Sequence, residues 1–209
     1  MSWTGLDDFL DRAATRLDPP KGPSHLAEGG DLEHVPADLI AAIRPAAVLI
    51  GIVPRVEEPS VVLTTRPATM KSHAGQVAFP GGKIDPGDAD EVAAALREAE
   101  EEVGAPVDRT DVIGRGAPYI SGSAYRITPV VGLLPPDFIA KPDPLEVDEA
   151  FETPLSFLMD PANHQAREGV WKGRTRRYYE MPHNGYRIWG VTAGIIRALH
   201  DQLYRGEGG

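Results

Sequence analysis

The sequence has no cysteine among its 209 residues. That removes a disulfide framework, a thiolate zinc site and a cysteine nucleophile. Any metal site must use oxygen or imidazole ligands, which favours hard cations such as Mg²⁺, Mn²⁺ or Ca²⁺. Long apolar runs are also missing. The longest, near residues 46–53, is far too short to cross a membrane. The first residues, Met-Ser-Trp-Thr-Gly-Leu-Asp-Asp, lack the basic start and apolar run of a signal peptide, so a cytoplasmic protein is expected. Bases are in deficit, with 21 Lys and Arg against 31 Asp and Glu, a net charge of −10. Binding nucleic acid by bulk electrostatics needs the opposite balance, so that class is excluded.

An apolar fraction of 42% suffices for a real core and excludes global disorder. The length suits one domain with room for an extra element. The charge is unevenly spread. Residues 85–102 hold eight acids against one base, Arg97, and so carry −7 of the −10. Residues 164–187 hold six bases against two acids.

Leu6, Phe9, Leu10, Ala13, Ala14 and Leu17 fall at helical spacing and predict an amphipathic helix over 5–17. The Pro- and Gly-rich stretch to Gly30 reads as a loop, so 1–30 is an N-terminal helix and linker. Strands are expected at 46–53, 61–65, 76–79, 112–114, 126–134, 151–153 and 176–181, with Pro80-Gly81-Gly82 cutting the third. Helices are expected at 91–103, 155–159 and 189–204, the last with Trp189 on its apolar stripe. Gly104 fits a left-handed helix cap and Pro106 blocks continuation. Short strands mixed with few helices give a compact α/β domain of the α+β type.

The helix at 91–103 carries the chemistry. Asp88 is placed to cap it, with Glu91 completing a capping box. Glu98, Glu101 and Glu102 fall within an arc of about 100°, beside an apolar arc of Val92, Ala95, Leu96, Ala99 and Val103. Carboxylates one turn apart repel one another, and a divalent cation reverses that cost. A solvated acidic face is the plainer alternative for such a charge run. The turn at Gly81-Gly82 points to a ligand, because glycines permit backbone conformations and close approaches that suit a diphosphate.

Read together, Gly82, the spacers, Asp88 and Arg97-Glu98-Ala99-Glu100-Glu101-Glu102-Val103-Gly104 resemble the Nudix box. Asp88 stands where the pattern has Glu, and its spacer to Arg97 is one residue longer than the pattern's. Upstream, Leu63-Thr64-Thr65-Arg66-Pro67 and Met70–Gly82 resemble the motif preceding the box in coenzyme A pyrophosphatases of the Nudix superfamily; Tyr186–Ala193 is also similar to that subfamily.

The resemblance implies an α/β/α sandwich with a mixed sheet and a metal-binding loop–helix–loop, flanked by extra N-terminal and C-terminal helices. It places the hydrolase domain at 31–205, with a homodimer as an expectation. It implies Mg²⁺- or Mn²⁺-dependent cleavage of coenzyme A to 3′,5′-ADP and 4′-phosphopantetheine. Glu98, Glu101 and Glu102 would hold the metal, and Arg97 would orient a box carboxylate. One of Glu98, Glu101 and Glu102, or a carboxylate from another loop, Glu146 or Glu149, would take the proton of the attacking water. Gly81, Gly82, Arg66, Lys71 and His73 are the substrate-binding candidates; His73 also suits a structural role, and Trp189 and Ile188 are assigned to packing. The basic stretch is either an exposed strand face or a pocket for the nucleotide's extra phosphate, the strand face being favoured. Rival readings are another Nudix substrate (ADP-ribose, NADH or a dinucleoside polyphosphate) and a non-catalytic nucleotide-binding module, against which the complete Arg97, Glu98, Glu101 and Glu102 argue.

Overall fold

The computed structural model describes residues 3–67, 75–171 and 174–205. Five helices accompany twelve strands among them: α1 Leu6–Arg16, α2 Ala37–Ile40, α3 Glu91–Val103, α4 Leu155–Met159 and α5 Val191–Tyr204. The strands are β1 Gly29–Gly30, β2 Arg44–Val53, β3 Ser60–Thr65, β4 Val77–Ala78, β5 Gly81–Lys83, β6 Asp111–Arg115, β7 Tyr119–Ser121, β8 Tyr125–Leu133, β9 Glu149–Pro154, β10 Gln165–Trp171, β11 Arg174–His183 and β12 Tyr186–Trp189. The first nine form one mixed sheet, in which β2 and β8 run parallel, and the last three form a separate antiparallel sheet.

The alternation of side chains along the central strands sorts the core into two layers. Ala47, Leu49 and Val53 of β2, Val62 of β3 and Val130 of β8 face Ala95, Ala99 and Val103 of α3. Ile50, Ile52, Val61, Leu63 and Val131 face the other way, onto α4, α5 and α1. Because both faces of β2 are covered, its sequence is a continuous apolar run rather than an alternating one. The result is a mixed sheet between helical layers, as expected for the fold class. Phe9 and Ala13 of α1 lie within the layer formed by α5, so the N-terminal helix shares the main core. No helix among the described residues is long and apolar enough to cross a membrane.

Three local expectations are corrected. Gly81 and Gly82, expected to be a turn, open β5, which pairs antiparallel with Ala46, Ala47 and Val48 of β2. This follows from the splay of β2 from β3: they pair only at Ile52–Val61 and Val53–Ser60, leaving the first half of β2 to pair with β5. Trp189 ends β12, before Gly190 reverses the chain into α5, so it is not on the helical stripe. The helix cap is Asp90, whose carboxylate accepts the Ala93 N–H at 2.8 Å, and not Asp88. The longer spacer sets the helix start at Glu91, so Asp90 falls at the capping position, and Glu91 faces Arg115 at 3.5 Å.

The placement of Phe9 yields a stability prediction. Phe9→Ala should cost roughly 3–5 kcal/mol in urea unfolding, the range for emptying a buried aromatic site. Val56→Ala, at a fully exposed hairpin position, should stay within about 0.5 kcal/mol. A Phe9→Ala loss no larger than the Val56→Ala change would remove α1 from the core.

Candidate active site

The candidate site lies where β5 crosses α3. Gly81 sits at φ 151°, and a Cβ there would fall 2.4 Å from the Ala47 carbonyl oxygen. Its N–H donates to Glu102 Oε2 at 3.2 Å. A Cβ on Gly82 would fall 2.5 Å from the Glu98 carboxylate. Gly81 is thus demanded by its backbone conformation and its approach to the sheet, while a side chain at Gly82 would displace the Glu98 carboxylate from the site.

Glu98 and Glu102 are one helical turn apart and point under this glycine strand. Glu146 joins them from the connection between β8 and β9. One carboxylate oxygen from each of the three lies within 4.8 Å of the others. Glu102 is buried, Glu98 half-buried and Glu146 exposed, so the cluster opens to solvent on the Glu146 side. Glu101 lies outside this cluster. Its half-exposed carboxylate accepts from Arg97 Nη1 at 3.2 Å. Glu149 is also elsewhere, accepting the Tyr186 hydroxyl at 2.7 Å.

Arg97 organises the acidic arc. It donates to both oxygens of Asp88 at 2.9 and 3.0 Å, to Glu98 at 3.1 Å and to the Lys83 carbonyl at 3.2 Å. Asp88 also accepts the Asp85 N–H at 2.8 Å, which closes the loop before α3. The shorter acid therefore reaches Arg97 from a tight turn. Hydrogen bonds from Arg97 and the Asp85 N–H hold the Asp88 carboxyl below its usual range.

The cluster is electrostatically frustrated. Burial, against the pull of Arg97, raises Glu98 above the ordinary carboxylate range. Burial pushes Glu102 up to about 7; the Gly81 N–H and Arg66 oppose this, while Glu98 and Glu146 add to it. Such a group holds a proton near neutrality unless another positive charge takes its place. Three hard oxygen donors converging from two elements fit a divalent cation of the Mg²⁺ or Mn²⁺ type. Arg66 supplies a nearby positive charge, and its buried Nε has no hydrogen-bond partner among the described residues. Lys71 and His73 lie outside the described residues.

The basic stretch 164–187 forms β10, β11 and the start of β12. Arg167 and Arg187 converge on Glu180, at 3.2 and 2.6 Å, and Arg177 meets Glu168 at 2.8 Å. Arg176 donates to the His34 carbonyl at 3.2 Å. Such pairing along strands is what an exposed strand face gives. Ile188 is fully buried, as its packing assignment requires.

Sequence reasoning missed the turn that delivers Glu146. The Asp143 carboxylate accepts the Leu145 N–H at 2.9 Å, its carbonyl accepts the Glu146 and Val147 N–H groups, and Val147 is buried beneath. The Pro142-Asp143-Pro144 sequence was a readable turn signal.

The family model for the NUDIX domain matches residues 43–170. The chain is 40% identical over 198 residues to an uncharacterized Nudix hydrolase, NudL, of Photorhabdus laumondii, covering 95% of this chain and 97% of that protein. It is 44% identical over 160 residues to the NudL of Escherichia coli K12, covering 77% and 83% respectively. Among solved structures, a C. elegans Ap4A hydrolase complex is similar over 54% of this chain and 81% of its own, at 20% identity and a TM-score of 0.46.

The frustrated carboxylates predict a pH dependence. A folded-state pKa raised to about 7 stabilises the metal-free protein at acidic pH, and that stability is lost as pH rises through 7. Cation binding displaces the proton, so Mn²⁺ affinity should rise up to about tenfold per pH unit below 7 and then level. Calorimetric titration between pH 5.5 and 8 checks this, and Glu102→Gln should flatten both trends. An affinity independent of pH across that range would contradict the assignment.

Proposed function

The chain belongs to the Nudix hydrolase family, and we propose that it hydrolyses the diphosphate bond of coenzyme A to 3′,5′-ADP and 4′-phosphopantetheine. The observation that carries the hydrolytic part is the convergence of Glu98, Glu102 and Glu146 beneath the Gly81–Gly82 strand. The coenzyme A part is supported by the two stretches that resemble coenzyme A pyrophosphatases. Although far apart in sequence, they meet at the sheet edge: the Thr192 hydroxyl donates to the Val77 carbonyl at 2.8 Å in a buried bond. They form one unit beside the glycine strand.

In this reading Glu98, Glu102 and Glu146 hold Mg²⁺ or Mn²⁺. The cation would draw charge from the phosphoryl oxygens and favour in-line attack by water. Glu146, on the solvent side, would accept the proton of that water as the P–O–P linkage breaks. Glu101, the exposed acid on Arg97, is the other candidate for this proton. Arg97 fixes the rotamer of Glu98 through a guanidinium that Asp88 in turn holds. Arg66, whose buried Nε has no partner among the described residues, offers a second positive contact for the diphosphate. Gly81 and Gly82 let the substrate lie close to the backbone, and Lys71 and His73 are proposed as further contacts. In this reading residues 31–205 form the hydrolase unit of a cytoplasmic enzyme, preceded by an N-terminal helix and linker over 1–30.

Chromatography of products from coenzyme A, ADP-ribose, NADH and a dinucleoside polyphosphate, each with Mg²⁺ and with Mn²⁺, tests the substrate. The expected result is 3′,5′-ADP from coenzyme A. Hydrolysis of another compound with coenzyme A left intact would overturn the substrate assignment. Glu98→Gln and Glu102→Gln should each lower kcat by roughly 100-fold, the upper range for a lost general or metal-site group. Unchanged kcat in both would overturn the metal-helix mechanism.

A further inference from the structure

Glu146 reaches the cluster from residues 134–148, a connection without helix or strand longer than a single turn. An exposed loop of this length samples many conformations unless it is tied down. Its middle is tied to the last turn of α3: the Lys141 N–H donates to the Val103 carbonyl at 2.8 Å, and the Asp143 N–H to the Glu102 carbonyl at 3.0 Å. Its end is tied to β3, where the Asp148 N–H donates to the Thr65 carbonyl at 3.0 Å.

Its beginning is held by a residue from a different part of the chain. Arg55, in the connection between β2 and β3, donates through Nη1 to the Pro136 carbonyl at 2.8 Å. It donates through Nη2 to the Phe138 carbonyl at 2.7 Å and through Nε to Glu152 at 3.1 Å. Glu152 lies on β9, after the loop, and also accepts the Ser60 hydroxyl. One guanidinium therefore joins the limb that enters the loop to the strand that leaves it. Serving two carbonyls and a carboxylate at once needs the planar fork of arginine; a lysine ammonium lacks that geometry. The residue has no contact with the carboxylate cluster among its hydrogen bonds, and the hydrolytic chemistry does not use it.

We propose that Arg55 is a positioning residue: by closing the neck of the loop over 136–152, it holds Glu146 against Glu98 and Glu102. This inference rests on Glu146 being part of the cation site, as read above. Its consequence is specific. Loss of the neck should be felt only through Glu146, so the two residues should not act additively.

The test measures Mn²⁺ affinity by electron paramagnetic resonance for the wild type, Arg55→Met, Glu146→Gln and the double variant. Arg55→Met, which keeps the aliphatic stem, should weaken Mn²⁺ binding by about tenfold, the lower range for groups that orient metal ligands. In the Glu146→Gln background it should have no further effect. Hydrogen exchange should accelerate at 136–148 and stay unchanged in α3 and β2. Arg55→Lys should restore only part of the affinity. Glu152→Gln, which slackens the guanidinium without removing it, should give the same pattern at smaller amplitude and decides the matter if Arg55→Met does not fold. Equal weakening of Mn²⁺ binding in both backgrounds, or none in either, would overturn the proposal. Since these measurements use Mn²⁺ alone, they are independent of whether coenzyme A is the substrate.

Discussion

Mutual repulsion among Glu98, Glu102 and Glu146 is the constraint around which the molecule is arranged. Carboxylate oxygens within 4.8 Å of one another repel by on the order of several kcal/mol per charged pair at the effective dielectric of a partly buried site. The protein meets part of this cost itself. The Gly81 N–H faces Glu102, Arg97 faces Glu98, and Arg66 lies close enough to pull Glu102 downward. These contributions fall short, because Glu102 still rises to about 7. A site that remains short of positive charge after its own residues have contributed is poised for a cation, and then for the anionic substrate the cation attracts.

Much of the fold exists to make that crowding geometrically possible. The splay between β2 and β3 opens the gap into which β5 fits, bringing a glycine backbone against α3. Gly81 must approach the Ala47 carbonyl at a distance no Cβ allows, and a Cβ on Gly82 would push the Glu98 carboxylate aside. On the other side of α3, Ala95, Ala99 and Val103 pack the helix onto β2 and β8, fixing the direction of its acidic arc. Asp88 and Arg97 then lock the loop before α3 to the helix itself. The charged ladder and the apolar face are two sides of one rigid element.

The element pattern and fold class could be read from hydrophobic period, because α1, β2, β3, α3 and α5 bury strongly periodic or continuous apolar residues. The glycine pair as a close-approach point and the acidic arc were likewise readable, since both are local; the turn expected at the glycines was not. What escaped was decided by distant partners. Gly81–Lys83 becomes a strand only because half of β2 is left unpaired by β3. Asp88 was expected as the cap, but Arg97 nine residues on takes its carboxylate, and Asp90 caps the helix. Glu101 and Glu102 look equivalent on a helical wheel. The Gly81 N–H distinguishes them by drawing Glu102 inward, while Arg97 keeps Glu101 at the surface. Glu146 enters the site through a turn whose role depends on where α3 ends.

The two charge poles now have different explanations. The acidic pole crowds carboxylates around one cluster, and the basic pole is a strand surface on which Arg167, Arg177 and Arg187 are answered by Glu168 and Glu180. The central claim, that the acidic pole holds a divalent cation between helix and loop, is tested most directly by anomalous diffraction at the manganese edge from Mn²⁺-soaked crystals. A peak coordinated by Glu98, Glu102 and Glu146 together is the expected result. A peak bound by Glu101 with Glu146 uninvolved, or no peak beneath the glycine strand, would contradict it.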